Sequence, residues 1–131
     1  MKGFTLIEIM IVVAIIALLA SIAVPSALRA RKRSEATSTL QTLRILDAAC
    51  DQWAIENGKA PASAPGSALA PYVKRGTKLY TELLGGSATD AIGNAVTMPV
   101  VDTAPSIGTT TYQALSDVAP STFWMQYYSG S

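Results

Sequence analysis

From Ile9 to Val24 sixteen consecutive residues carry a single polar side chain, the hydroxyl of Ser21. No other stretch constrains the fold as strongly. As a helix the run rises roughly 24 Å at 1.5 Å per residue, and adding Phe4 to Glu8 brings it to about the thickness of a bilayer's hydrocarbon core, ~30 Å. It reads as a membrane span. One carboxylate, Glu8, stands at its beginning, where an acidic side chain is expensive.

Taking that segment out of 131 residues leaves roughly a hundred, rich in Ala, Ser, Thr, Gly and Pro, able to bury only a small core. The net charge of +1 shows no bias toward nucleic acid or an acidic substrate. Histidine is absent and Cys50 is the only cysteine, which removes an intrachain disulfide and the commonest general base and metal ligand. Triad and ordinary metalloenzyme chemistry are disfavoured, so the chain is read as a non-enzyme; a Ser or Asp site would have no base beside it.

A cleaved secretory signal has a basic start, about 7–15 apolar residues and a small-residue cleavage site. Lys2 fits that description, but the apolar run is longer and is followed by helix-forming sequence with Arg29, Arg31, Lys32 and Arg33. That pattern describes a retained span with an interfacial anchor. The small residue instead precedes the run, as Gly3 between Lys2 and Phe4.

In this order the segment "KGFTLIEIMIVVAIIALLA" resembles the amino terminus of type IV prepilins and type II secretion pseudopilins. The resemblance implies a three-residue leader, residues 1–3, cut by a prepilin peptidase between Gly3 and Phe4, methylation of Phe4, and retention of the apolar helix. It further implies an amino terminus in the cytoplasm and an exported carboxy-terminal region. A simple count of basic residues would put Arg29 to Arg33 inside instead.

Glu8 lies four residues after Phe4, so in a helix the two share a face. One reading is local: a carboxylate in the first turn interacts favourably with the exposed N–H groups there. The other is intermolecular, with Glu8 of an incoming subunit neutralising the Phe4 ammonium of a neighbour and thereby fixing the register.

Pro25 interrupts the ladder at the far end of the span, where a kink or a short unwound stretch is expected. Beyond it Ala36, Leu40, Leu43, Leu46, Cys50 and Trp53 recur at spacings of three and four, with Glu35, Gln41, Arg44, Asp47 and Asp51 on the other faces. This stripe predicts an amphipathic continuation whose partner is the chain's own carboxy-terminal half. Cys50 reads as a small buried hydrophobe. The helix is expected over Thr5 to Asn57, ended by a left-handed cap at Gly58 and by Pro61. "DQWAIENGKAP" also resembles a pseudopilin pattern, with Ala60 where that pattern has an aromatic residue.

Residues 60–70 read as a surface loop with a helical turn near its end. "PYVKRGTKLYTELLGG" supplies Tyr72, Leu79, Tyr80, Leu83 and Leu84 to pin a short irregular or helical segment onto the helix. Lys74, Arg75 and Lys78 form a small basic patch, read as solvated surface in preference to a nucleic-acid contact. Asp90, Gly93 and Asn94 predict a turn entering a strand from Val96 to Val101, resembling a pseudopilin turn with Ala95 in place of proline. Further strands are expected over Thr109 to Ala114 and Ser121 to Tyr128.

The expected fold is α+β and type IV pilin-like, a long kinked N-terminal helix packed by a small antiparallel sheet with long loops. Its parts are a leader (1–3), a transmembrane and polymerisation helix (4–25), an amphipathic continuation (26–58) and a globular region (59–131). Because the major pseudopilins hold calcium, Asp90, Asp102 and Asp117 are the candidate ligands, although their spacing is not that of a contiguous calcium loop. The resemblance implies a pilus or pseudopilus subunit whose partners are further copies of itself, the peptidase and methyltransferase, an inner-membrane assembly platform and the bilayer. The alternatives are a minor subunit that primes or caps the filament, and a membrane-tethered binding module that never polymerises.

Overall fold

The computed structural model describes residues 2–128 and Gly130. The leader and the globular region as drawn from the sequence therefore include Met1, Ser129 and Ser131, which lie outside the described residues. One helix, α1, runs Leu6–Asn57, and the chain divides into two compact units, Met1–Lys32 and Arg33–Ser131.

In the first unit every described residue but Lys32 is exposed. An 18-residue window of α1 has mean hydropathy 2.9 with none of it buried, so by length and composition the helix can cross a membrane. Helical structure continues through Pro25 with no unwound stretch. Ser21 Oγ donates to the Leu18 carbonyl at 2.7 Å, which satisfies the one hydroxyl inside the apolar run.

In the second unit the expected stripe is the core. Ala36, Leu40, Leu43, Leu46, Cys50 and Trp53 are buried, joined by Thr39 and Ala49. Covering them are Leu69, Val73, Leu83, Val96, Leu115, Trp124 and Tyr127 from the later chain. Burying each Leu contributes about 2 kcal/mol, so a few such contacts outweigh the low propensity of the segments that provide them. α1 ends as its sequence predicts: Gly58 has φ +57°, and the Lys59 N–H donates to the Ala54 carbonyl at 3.0 Å, closing a Schellman cap.

The covering layer is helical and irregular. A 3-10 segment spans Gly66–Tyr72, α2 spans Lys78–Leu84, α3 Thr109–Leu115 and α4 Ser121–Trp124, and a 3-10 turn follows over Met125–Tyr127. Thr77 caps α2, its hydroxyl accepting from the Tyr80 N–H at 3.2 Å.

The α+β expectation is corrected here: there is no β-sheet among the described residues, only isolated bridges pairing Thr89 with Ala95, Thr97 with Ser106 and Val100 with Thr103. In the 96–101 segment Pro99 lacks a ladder donor, Asp102 turns the chain at φ +67°, and Pro105 removes another donor on the returning side. The 109–114 segment is helical because α3 sets Thr111 and Leu115 on one face, both buried. The 121–128 segment turns at Pro120 so that Trp124 enters the core, its indole N–H donating to the Ala119 carbonyl at 3.2 Å. Burial of these side chains overrides the β preference of Thr and aromatic residues.

Candidate assembly site at the amino terminus

Glu8 and Thr5 form a reciprocal pair at the start of α1. The Thr5 N–H donates to Glu8 Oε2 at 2.8 Å, and the Glu8 N–H donates to Thr5 Oγ1 at 3.3 Å. This is a capping box, satisfying two N–H groups that the first turn of any helix leaves without a backbone acceptor. Of the two readings of Glu8, the local one is thus realised in the single chain. The signal for it is the spacing T-x-x-E ahead of an apolar run, with Thr5 the residue that sequence reasoning left unused.

Phe4 is 87% exposed, and Leu6 and Ile7 beside it are exposed as well. A Cβ placed on Gly3 would meet nothing within 4 Å. Neither packing nor a positive φ calls for glycine at that position. Chemically, the helix start presents one carboxylate, paired with Thr5, ahead of an apolar surface, with Lys2 four residues short of α1.

The other sequence candidates do not converge. Asp90 is buried, its Oδ1 accepting from the N–H groups of Ile92 (3.0 Å) and Asn94 (2.8 Å) and its Oδ2 from the Thr111 hydroxyl. It fastens the predicted turn to α3, while the Ala91 N–H ties the same turn to α1 by donating to Thr39 Oγ1 at 3.1 Å. Asp102 and Asp117 are exposed, and no group of three metal-ligating side chains occurs among the described residues, so the calcium trio is not brought together. Cys50 is buried, and burial with Asp51 and Asp47 nearby pushes its thiol pKa up, away from reactivity.

In the basic patch Lys78 is engaged locally, bonding Thr89 Oγ1 at 2.8 Å and pairing with Glu82 at 3.3 Å. Burial is the largest influence on Glu82 and raises its pKa, but the hydroxyl and N–H of Thr89 together with Lys78 outweigh it and hold the carboxyl lower. Asp47 accepts from Gln126 Nε2 and from the Tyr127 hydroxyl, each at 3.1 Å. Burial, then the Asp47 bond, pushes the Tyr127 phenol up. No spacing or motif signals this tie between α1 and the carboxy-terminal turn, because its partners lie about 80 residues apart.

With that geometry in hand, the family described as the prokaryotic N-terminal methylation motif matches residues 1–24. The chain is 32% identical over 65 residues to the type II secretion system core protein G of Klebsiella pneumoniae, covering 50% of this chain and 46% of that protein. It is 33% identical over 99 residues to the type IV major pilin protein PilA of Myxococcus xanthus, covering 76% and 44%. To the type IV wide pilus major component PilA4 of Thermus thermophilus it is 55% identical over 47 residues, covering 36% and 34%. These similarities support the pilin and pseudopilin family. The chain spans less than half the length of these curated relatives, and no solved structure matches it.

Proposed function

We propose that this pilin-like chain is a structural subunit of a type IV pilus or a type II secretion pseudopilus. It is cut by a prepilin peptidase after Gly3, methylated on Phe4, held in the inner membrane with its amino terminus in the cytoplasm, and polymerised through the first part of α1. What supports this reading is an apolar helical surface with no cover from its own chain, bearing one carboxylate at the first turn. Membrane lipid covers that surface before assembly, and neighbouring helices cover it in the filament.

Cleavage leaves the Thr5 N–H and hydroxyl in place and creates an α-ammonium at Phe4. In an apolar bundle either charge alone is unfavourable, by on the order of 3 kcal/mol on insertion scales. Glu8 of an incoming subunit meeting the Phe4 ammonium of a subunit already in the filament removes both penalties at one axial offset. An assembly platform in the inner membrane would deliver the subunit; the work is mechanical, with no catalysis by this chain.

Shearing cells that express the chain, imaging the released filaments and determining the subunit's amino terminus tests the reading. The expected result is filaments whose subunit begins at N-methylated Phe4. An unmethylated, permanently monomeric membrane protein would instead identify a tethered binding module.

A further inference from the structure

α1 has two exposed flanks in the second unit, and they differ in character. On one, Ser38, Thr42 and Ile45 line a groove of about 560 Å³ with Tyr72, Lys74 and Leu79 among its other walls. On the other, Asp47 and Asp51 share with Asp102 a depression of about 390 Å³, adjoined by a second one containing Ala54 and Ile55. At 3.6 residues per turn, the two sets of α1 positions lie roughly 180° apart around the helix.

The flanks are complementary. Ile55 projects with 82% of its surface exposed, an isolated apolar side chain bordered by Asp51, while the groove offers Ile45, itself 46% exposed, and the apolar bodies of Tyr72 and Leu79. In the groove Glu82 is engaged by Lys78 and Thr89, and Asp90 is buried in its own turn. Among the described residues, the charges at that rim with no carboxylate engaging them are Lys74 and, beside it, Arg75, while the exposed Lys78 is paired with Glu82. On the opposite flank Asp51 and Asp102 are exposed and outnumber the one cation of the second depression, Lys59, which is exposed and lies over the Trp53 ring at 5.7 Å.

We propose that the Asp51, Ile55 and Asp102 flank of one copy docks into the groove of a second copy, Ile55 seating against Ile45 and Leu79 while Lys74 faces the two aspartates. The partner is thus another copy of this chain. Because the two surfaces are different and lie on opposite sides of the helix, the contact is heterologous: each copy uses its flank on one neighbour and its groove on another, and an axial displacement between copies keeps the series from closing into a ring. The centre of the knob lies about 11 residues further along α1 than that of the groove, so parallel copies would be displaced axially by roughly 16 Å. The inference rests on the filament reading above and adds to it a specific lateral contact outside the membrane.

The test uses the full chain in cells, with Thr42→Cys and Ile55→Cys introduced together and each alone, followed by mild oxidation and shearing. Cys50 is 1% exposed and stays out of the reaction. Expected is a ladder of disulfide-linked multimers that needs both new cysteines. Asp51→Lys or Lys74→Asp added to that pair should diminish the ladder, and the two changes together should restore it. Sheared filaments that contain the double-cysteine chain but give no ladder, or a cross-link only to some other protein, would overturn the docking and leave the filament reading standing. Absence of filaments from the unsubstituted chain would overturn both.

Discussion

Two substitutions separate the cap that Glu8 forms in the structure from the pairing with a neighbour's amine proposed for it. Gln occupies the same capping-box position as Glu, so Glu8→Gln keeps an acceptor for the Thr5 N–H while removing the charge. Thr5→Val does the reverse, deleting the hydroxyl that accepts from the Glu8 N–H and leaving the carboxylate. Losing a cap costs about 1 kcal/mol, a factor of ~5 in an equilibrium. Leaving a neighbour's ammonium without its partner costs on the order of 3 kcal/mol on insertion scales, a factor of ~100. The assay is the amount of subunit in the sheared filament fraction relative to the total processed subunit in the membrane. Glu8→Gln should lower that ratio by ~100-fold with insertion and cleavage intact, and Thr5→Val by no more than ~5-fold. Equal effects from the two substitutions, or wild-type filaments from Glu8→Gln, would refute the charge-pairing argument and leave Glu8 as a capping residue alone.

Leu43→Ala, at a position with no exposed surface, should destabilise the second unit by about 2–5 kcal/mol, read as a drop of ~10 °C or more in Tm for the chain in detergent; a shift within error would contradict the packing. Glu82 has a carboxyl pKa lowered by folding, so its contribution is present above the unfolded value and lost as pH falls through the folded one. Tm should therefore fall on acidification through the carboxylate range, and Glu82→Gln should shrink that fall; an unchanged acid profile would show that the Thr89 and Lys78 bonds do not contribute. A reporter active only outside the cytoplasm, fused after the last residue, should be active, and activity of a cytoplasm-only reporter there would reverse the proposed orientation. Adding calcium or a chelator should leave Tm unchanged, since Asp90 is committed to Ile92, Asn94 and Thr111; a calcium-dependent rise would show a site these side chains do not form.

The parts of the fold legible in the sequence are those where one regular pattern runs long enough to outvote local preference. In α1 the stripe from Ala36 to Trp53 holds for five turns, and all six residues assigned to it are buried. The cap at Gly58 was equally legible, because a left-handed residue followed by Pro61 leaves few alternatives. The covering layer was not. Its α-helices have four to seven residues, too few for periodicity to emerge, and Thr109 to Thr111 or Phe123 to Tyr128 carry β-type side chains. Their conformation is decided by what they bury: Thr111 against Asp90, and Trp124 in the core. Asp90 shows the same limit at a candidate site. Its turn was legible from Asp90, Gly93 and Asn94, but the partner that occupies its second oxygen comes from a helix read as a strand.

The presence of the capping box sharpens the case for a second role of Glu8. A cap explains how the carboxylate is held in a single chain, but it does not explain why the side chain is charged. Gln at the same position can accept the same hydrogen bond. The favourable interaction of a charge with the helix start is worth about 0.3–1 kcal/mol, less than the ~3 kcal/mol that an ionised group costs at the centre of a membrane helix. Wherever the helix start is surrounded by hydrocarbon or by other apolar helices, the charge is therefore a liability that a cation would offset. Among residues 4–28 there is no Lys or Arg and no His, so the chain's own span supplies no such cation by side chain. In the function proposed above, cutting after Gly3 would create an amine at Phe4, and that amine would meet the requirement.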